Sequence, residues 1–310
     1  MVRQPQSDYD SPWKEALDLY FEDFIAFFFP EAHSDINWQR NYESLDTELQ
    51  EVVRDAETGR RLADKLVKVW LQSGEETWLL VHIEIQSKAD SDFGKRMYVY
   101  NHRLFDRYDR EVVSLAVLGD DQQNWRPTGY GYAKWGFESS LQFPVVKLLD
   151  YQQRWSELEQ SLNPFAIIVM AHLKTQATRR DSQGRLQWKL SLARGLQERG
   201  YTREQIFQLL RLISWMMVLP RDLERSYKAE MKRYQEENRM PYLTIFEEDA
   251  MVQVTREYIL EVLETRFQAV PQGLSDRINE IDDLALLKSL HKRAITVASV
   301  EEFEQVIASI

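Results

Sequence analysis

The sequence predicts an α/β fold: a mixed central sheet flanked by helices, continued by a helical extension and closed by a small acidic helical module. Three observations predict it. Two strand-like runs flank a glycine turn at Gly74. A helix and a nearly all-apolar run follow them. From about Trp155 onward the apolar spacing becomes helical. The expected divisions are residues 1–150 for the core, 151–245 for the extension and 250–310 for the module.

Residues 12–29 (PWKEALDLYFEDFIAFFF) read as one amphipathic helix, with Trp13, Ala16, Leu17, Tyr20 and Phe24 at spacings of three and four. Ser11 is placed to cap it, Pro12 suits its first position, and Pro30 follows it. Residues 33–50 are mixed, with a short strand near Tyr42 to Leu45 and LDTEL after it. A hairpin follows, with strands over 61–72 and 77–86 around the turn SGEE. Along the second strand, Leu79, Val81, Ile83 and Ile85 share one face, and His82, Glu84 and Gln86 share the other. SKADSDF breaks the pattern.

Phe93 to Tyr108 is a helix, with Phe93, Met97, Tyr100, Leu104 and Tyr108 as its apolar stripe. EVVSLAVLG, 111–119, reads as a strand covered on both faces. Two further β-like runs lie near 129–137 and 142–149. GYGYAKWG within the first has the wrong glycine spacing for a nucleotide-binding loop and reads as a turn or bulge. Helices then run from Phe165 to Leu173, Leu186 to Glu198, Arg203 to Leu219 and Leu223 to Glu237. Val252 to Ile310 reads as short helices, with Ser299 and Glu302 spaced as a capping box.

The chain has 310 residues, 44% hydrophobic and 29% charged, a globular balance with nine Trp for its core. It has no cysteine, which excludes disulfides, thiolate metal sites and thiol nucleophiles. The five histidines, at 33, 82, 102, 172 and 291, form no HExxH motif. No apolar run reaches the roughly 18 residues of a membrane span, and the opening MVRQPQSDYDSPW has no signal core. The expectation is a soluble, cytoplasmic protein with no membrane partner.

Net charge is −11, which disfavours broad electrostatic attraction to nucleic acid. The charge is uneven. Arg60 to Arg110 carries ten Lys and Arg against eight Asp and Glu, whereas Met240 to Ile310 carries six against thirteen. The acidity therefore sits mostly at the C-terminal end.

The hairpin brings chemistry together. Asp64 lies in its first strand and Glu84 in its second, and antiparallel pairing makes them neighbours. Paired carboxylates suit a hard cation such as Mg²⁺, with Mn²⁺ as its substitute, which takes oxygen ligands and polarises phosphodiesters. Arg96, Arg103 and Arg107 on the following helix are candidates to meet phosphates.

These residues resemble the PD-(D/E)XK nuclease superfamily: an Asp, a hairpin, a Glu-x-Lys-like motif, then a helix and a strand. RRLADKLVKVW, LLVHIEIQSK and GKRMYVYNHRLFDRY resemble more narrowly its recombination-promoting, transposase-related Rpn family, in which Glu-x-Gln replaces Glu-x-Lys. PWKEALDLYFEDFIAFFFPEA is similar to that family's opening helix. The resemblance covers roughly residues 10–150. VLETRFQAVPQGLSDRINEIDDLALLKSLHKRAITVASVEEFEQVI resembles the small helical domain of unknown function DUF4351, often found behind such proteins.

The resemblance implies a Mg²⁺-dependent DNA endonuclease in which Asp64, Glu84 and the backbone carbonyl of Ile85 hold the metal. Gln86 would take the place of the lysine that orients the attacking water. Glutamine brings no charge, and Lys88 or Lys68 would supply it. Glu22 or Glu48 would be the additional acid the superfamily often draws from its first helix. DNA is the implied substrate, homo-oligomers are compatible with it, and the biology would be recombination, mobile elements or defence. Two alternatives stay open: a catalytically degenerate nuclease fold that binds DNA or protein, and a transposase acting by strand transfer.

Overall fold

The computed structural model describes residues 10–54, 63–84, 90–238, 244–268, 270–281 and 283–308. The chain divides into two compact units, Met1–Lys228 and Ala229–Ile310.

Unit 1 opens with two helices where the sequence predicts one, α1 (Asp10–Leu19) and α2 (Phe21–Phe28). The break is Tyr20, whose φ of −134° and ψ of 42° leave the helical region. The Tyr20 hydroxyl donates to Gln208 Oε1 at 2.5 Å, a contact made across the unit. α1 already includes Ser11, so that residue lies inside the helix rather than at its cap. α3 (Pro30–Asp35) starts on Pro30, where a missing N–H costs nothing.

β1 (Glu43–Ser44), α4 (Asp46–Arg54), β2 (Ala63–Trp70), β3 (Glu76–Glu84), α5 (Phe93–Tyr108) and β4 (Val112–Leu118) follow. β5 (Gly129–Lys134) and β6 (Phe137–Gln142) form a separate hairpin, and β7 (Val145–Lys147) returns to the main sheet. That sheet is mixed, in the order β1-β2-β3-β4-β7. β1–β2 and β2–β3 are antiparallel; β3–β4 and β4–β7 are parallel. Gly74, at φ 89°, makes the turn between β2 and β3 that few other residues would adopt.

Period two decides what covers each face of the sheet. Leu66 and Trp78 pack with Leu49 and Val52 of α4 and with Tyr100 and Leu104 of α5. Ala116 and Leu118 on the same face meet Phe93 and Met97 of α5. Val67, Val69 and Leu79 are buried on the other face, where α1 packs on β2. Each fully buried large apolar side chain contributes about 1.5–3 kcal/mol.

β5 crosses α5 closely. A Cβ at Gly94 would stand 2.5 Å from the Gly129 carbonyl oxygen. Gly94→Ala is therefore expected to lower stability by about 1–3 kcal/mol, the usual cost of overpacking, as read by denaturant unfolding. An unchanged midpoint would show that the two backbones separate freely. At the hairpin tip, Trp135 (φ 55°) and Gly136 (φ 85°) form the two-residue left-handed turn that matches strand twist. The turn or bulge expected within GYGYAKWG is this reversal, which divides the β-like run over 129–137 between β5 and β6. Trp135 gives up about 1–2 kcal/mol to hold that conformation.

A 3-10 turn (Leu148–Gln152) leads to α6 (Trp155–Gln160), α7 (Pro164–Ala177), α8 (Ser182–Glu198) and α9 (Arg203–Met216). α7 is the centre of this layer. Phe165 to Leu173 are all buried, so the helix is covered on every side, with α2, α6, α8 and α9 around it. Asn163 caps it by accepting from the Phe165 N–H at 2.9 Å. α10 (Arg221–Asn238) follows, beginning in this unit and ending in the next.

The C-terminal unit contains α11 (Thr244–Phe267), α12 (Gln272–Asn279), α13 (Leu284–Thr296) and α14 (Val300–Ala308). α11 is one long helix where short ones are expected. Ile259, Leu263, Leu274, Leu287, Leu290 and Phe303 form its core. Ser299 Oγ accepts from Glu302 N–H at 3.3 Å, while Glu302 reaches back to the Ala298 N–H at 2.7 Å, one residue short of a reciprocal box. Among the described residues, no helix is long and apolar enough to cross a membrane.

Candidate functional site

Strand register sets the positions of the two predicted carboxylate residues. Asp64 on β2 is opposite His82 on β3, and Glu84 lies two residues further along β3. By period two, Asp64, His82 and Glu84 occupy one side of the sheet, and Asp64 and Glu84 are diagonal neighbours, about 7–8 Å apart by strand geometry. It is the backbone of Asp64 and Glu84 that the structure describes. Ile85, Gln86 and Lys88 lie outside the described residues.

Glu84 is in parallel register with Leu118, and Leu118 with Lys147. The site therefore sits at the carboxyl ends of β3, β4 and β7, the edge where open α/β sheets bind ligands. Leu118 packs with Phe93, so the first turn of α5 stands beside the site. The partial positive charge of a helix N-terminus favours anions there. Arg96 in that turn is paired with Asp90 and Arg103 donates to the Val52 carbonyl at 3.4 Å. Arg107 lies 5.6 Å over the Tyr108 ring, at the opposite end of α5 from Phe93.

The backbone beyond Leu118 is pinned from the other layer. Trp13 Nε1 donates to His172 Nδ1 at 3.3 Å, which leaves the proton on Nε2 to be donated to the Gly119 carbonyl at 2.7 Å. Gln176 donates to the same carbonyl. Burial drives the His172 pKa down to about 4, with the Arg179 charge adding to it, against the Gly119 hydrogen bond. Neutral His172 is thus the folded form. Below its unfolded value near 6.5 the unfolded chain binds a proton that the folded one refuses. Stability is therefore complete above about 6.5 and is lost as pH falls toward 4, by up to about 3 kcal/mol. His172→Gln should flatten this part of the stability–pH curve; an unchanged slope would show that carboxylates alone set it.

Next to this edge is a cavity of about 340 Å³, lined by Asp121, Gln123, Asp150, Gln152 and Gln176 among others. Its acids are matched. Asp121 meets Arg179 at 2.6 Å, and Asp150 accepts two bonds from Arg126, at 2.8 and 2.5 Å, which hold its carboxyl below the usual range. The buried pair of Asp120 and Lys147 stands at the same edge, both side chains wholly enclosed, with Lys147 Nζ also donating to the Trp125 carbonyl at 3.0 Å.

The structure separates the two candidate helix acids. Glu22 lies 3.7 Å from His33 Nε2, His33 stacks on Trp38, and Asn37 N–H bonds to the Trp70 carbonyl. That is the far end of β2, six residues or about 20 Å from Asp64. Glu48 lies in the first turn of α4, two residues after Asp46, whose carboxylate is 3.5 Å from Lys65 Nζ. Of the two, Glu48 is the one on the helix whose first turn meets Lys65, the residue next to Asp64. Lys68 is engaged elsewhere, at 2.5 Å from Glu43 and 5.1 Å over the Trp70 ring.

One cluster escapes the sequence altogether. Lys65, on the face opposite Asp64, binds Asp18 of α1 at 2.5 Å and Asp46 of α4. Burial works against its charge, but the two carboxylates outweigh it and its pKa stands above that of an ordinary lysine. No spacing in the sequence links residues 18, 46 and 65. The triad fixes both helices to the residue next to Asp64.

Among the described residues, no group of three His, Asp or Glu side chains is placed to hold a metal ion. Compared with family models, with curated proteins and with solved structures, the chain has no match, so the chemistry of this edge is argued from its own residues.

Proposed function

We propose that the chain is a Mg²⁺-dependent DNA endonuclease of the PD-(D/E)XK kind, resembling the Rpn family. The observation that carries the reading is the register: Asp64 and Glu84 are diagonal neighbours on one face of adjacent antiparallel strands, at the carboxyl edge of the parallel strands. Two carboxylates and a backbone carbonyl, that of Ile85, are hard oxygen donors and fit Mg²⁺ or Mn²⁺. The ion, when bound, polarises the scissile phosphate and lowers the pKa of a water.

The chain's own residues then have separate tasks. Asp64 and Glu84 hold the ion, and Gln86 orients the attacking water through its amide. The first turn of α5 offers positive potential to a phosphate. Glu48, on the helix that meets Lys65, is favoured over Glu22 as the assisting acid, and DNA is the substrate. The test is nicking of supercoiled plasmid by purified protein in Mg²⁺ and in EDTA. Gln86, which brings no charge where the superfamily has lysine, favours a second reading as a non-catalytic DNA- or protein-binding fold. Wild-type protein that leaves plasmid intact in both Mg²⁺ and Mn²⁺ would select that reading.

A further inference from the structure

The β5–β6 hairpin tip holds three features that its fold does not require. Trp135 is 93% exposed, and Tyr132 and Phe137 beside it are about half exposed with rings 5.8 Å apart. Trp135 occupies a left-handed turn position that asparagine fills with less strain. Lys134 Nζ lies 4.4 Å over the indole. An apolar ring is thus presented to water, against the backbone's preference, with a cation on its face.

The tip is also held rigidly. Tyr98 of α5 bonds to Ser139 at 2.5 Å and packs edge-on against Tyr130 and Tyr132. Gly94 and Gly129 bring the base of the hairpin onto α5 at the end beside the candidate site. α5 has four Lys and Arg against one Asp, in a chain of net charge −11, with Lys95 and Arg107 exposed. The hairpin's own acid, Glu138, is paired across the strands with Ala133.

We propose that this tip is a base-stacking wedge: Trp135, flanked by Tyr132, Phe137 and Lys134, takes an unpaired nucleobase of a DNA strand lying along α5. The inference rests on the reading of the protein as a DNA enzyme. Aromatic faces accept any base, and a neighbouring cation meets the backbone phosphate. The occupant is DNA rather than a second copy or a membrane because the locally positive helix lies under the same hairpin.

The test uses the full chain as Asp64→Ala, so that cleavage plays no part, and measures anisotropy of a labelled single-stranded oligonucleotide in EDTA. Adding Trp135→Ala should weaken binding about tenfold, the scale of one lost base stack, while Trp215→Ala, another exposed tryptophan, leaves it unchanged. Trp135→Asn should weaken binding equally yet raise the thermal midpoint, which separates stacking from misfolding. Lys134→Ala should lower the salt slope by about one. Equal affinity of Trp135→Ala and its parent overturns the wedge, as does loss of self-association or of vesicle binding in its place. Plasmid nicking by the wild type with Trp135-independent binding sinks the wedge alone. Trp135-dependent binding without nicking sinks the nuclease alone.

Discussion

Asp64→Ala and Glu84→Ala are each expected to lose Mg²⁺-dependent plasmid nicking by about 10²- to 10⁴-fold, the several kcal/mol of transition-state stabilisation that a bound ion supplies. The two losses should not add, because either substitution removes the same ion. Asp64 is near the start of β2 and Glu84 ends β3, at the edge of the hydrogen-bonded hairpin. Removing their carboxylates leaves the Leu66–Trp78 core intact, so both variants should unfold at the wild-type denaturant concentration. Glu22→Ala, at the other end of the sheet, should nick as the wild type does. Nicking that survives in both site variants would move the chemistry away from this edge.

A second large effect is expected at Asp120 and Lys147. Both side chains are fully enclosed and ion-paired, at the end of the strands that carry the site. Removing one partner strands a buried charge, so Lys147→Ala or Asp120→Ala should each destabilise unit 1 by about 3–5 kcal/mol. The double change Asp120→Leu with Lys147→Met replaces the pair by apolar volume and should recover most of that loss. Chemical denaturation of the four proteins measures it. Additive losses in the double variant would show that shape, and not charge, holds these positions. Lys147 is two strands from Glu84, about 10 Å by sheet spacing. The pair therefore firms the floor of the candidate site without reaching it.

Much of the sheet was legible because it follows period two. The hairpin needs only Gly74 and the alternation around it, and once the turn is fixed the register of Asp64 against His82 follows by counting. α5 matched its expected bounds because five apolar residues recur on one stripe. Illegible features depend on distant partners. Tyr20 breaks α1 from α2 while its hydroxyl bonds to Gln208, 188 residues away. The turn expected within GYGYAKWG is there, but the sequence does not show that Trp135, a poor signal for a left-handed position, takes one of its two places. α7 showed no face because every face is covered. At the site, Glu22 and Glu48 are alike in sequence, and only the path of β2 tells them apart. The Lys65 triad joins three elements by charge, which leaves no periodic trace.

The position of α7 also sets a timetable for synthesis. Trp13, Phe24 and Phe28 of the first two helices pack on Phe165, and Trp13 bonds to His172, 159 residues later. At about 5–20 residues per second, the ribosome delivers that partner roughly 8–30 s after it makes the aromatic segment. FIAFFF must therefore spend that time without its native cover, an apolar run open to aggregation on the nascent chain. Translation speed and chaperone capture over the first half of the chain, more than the stability of the finished fold, should govern how much of this protein a cell obtains.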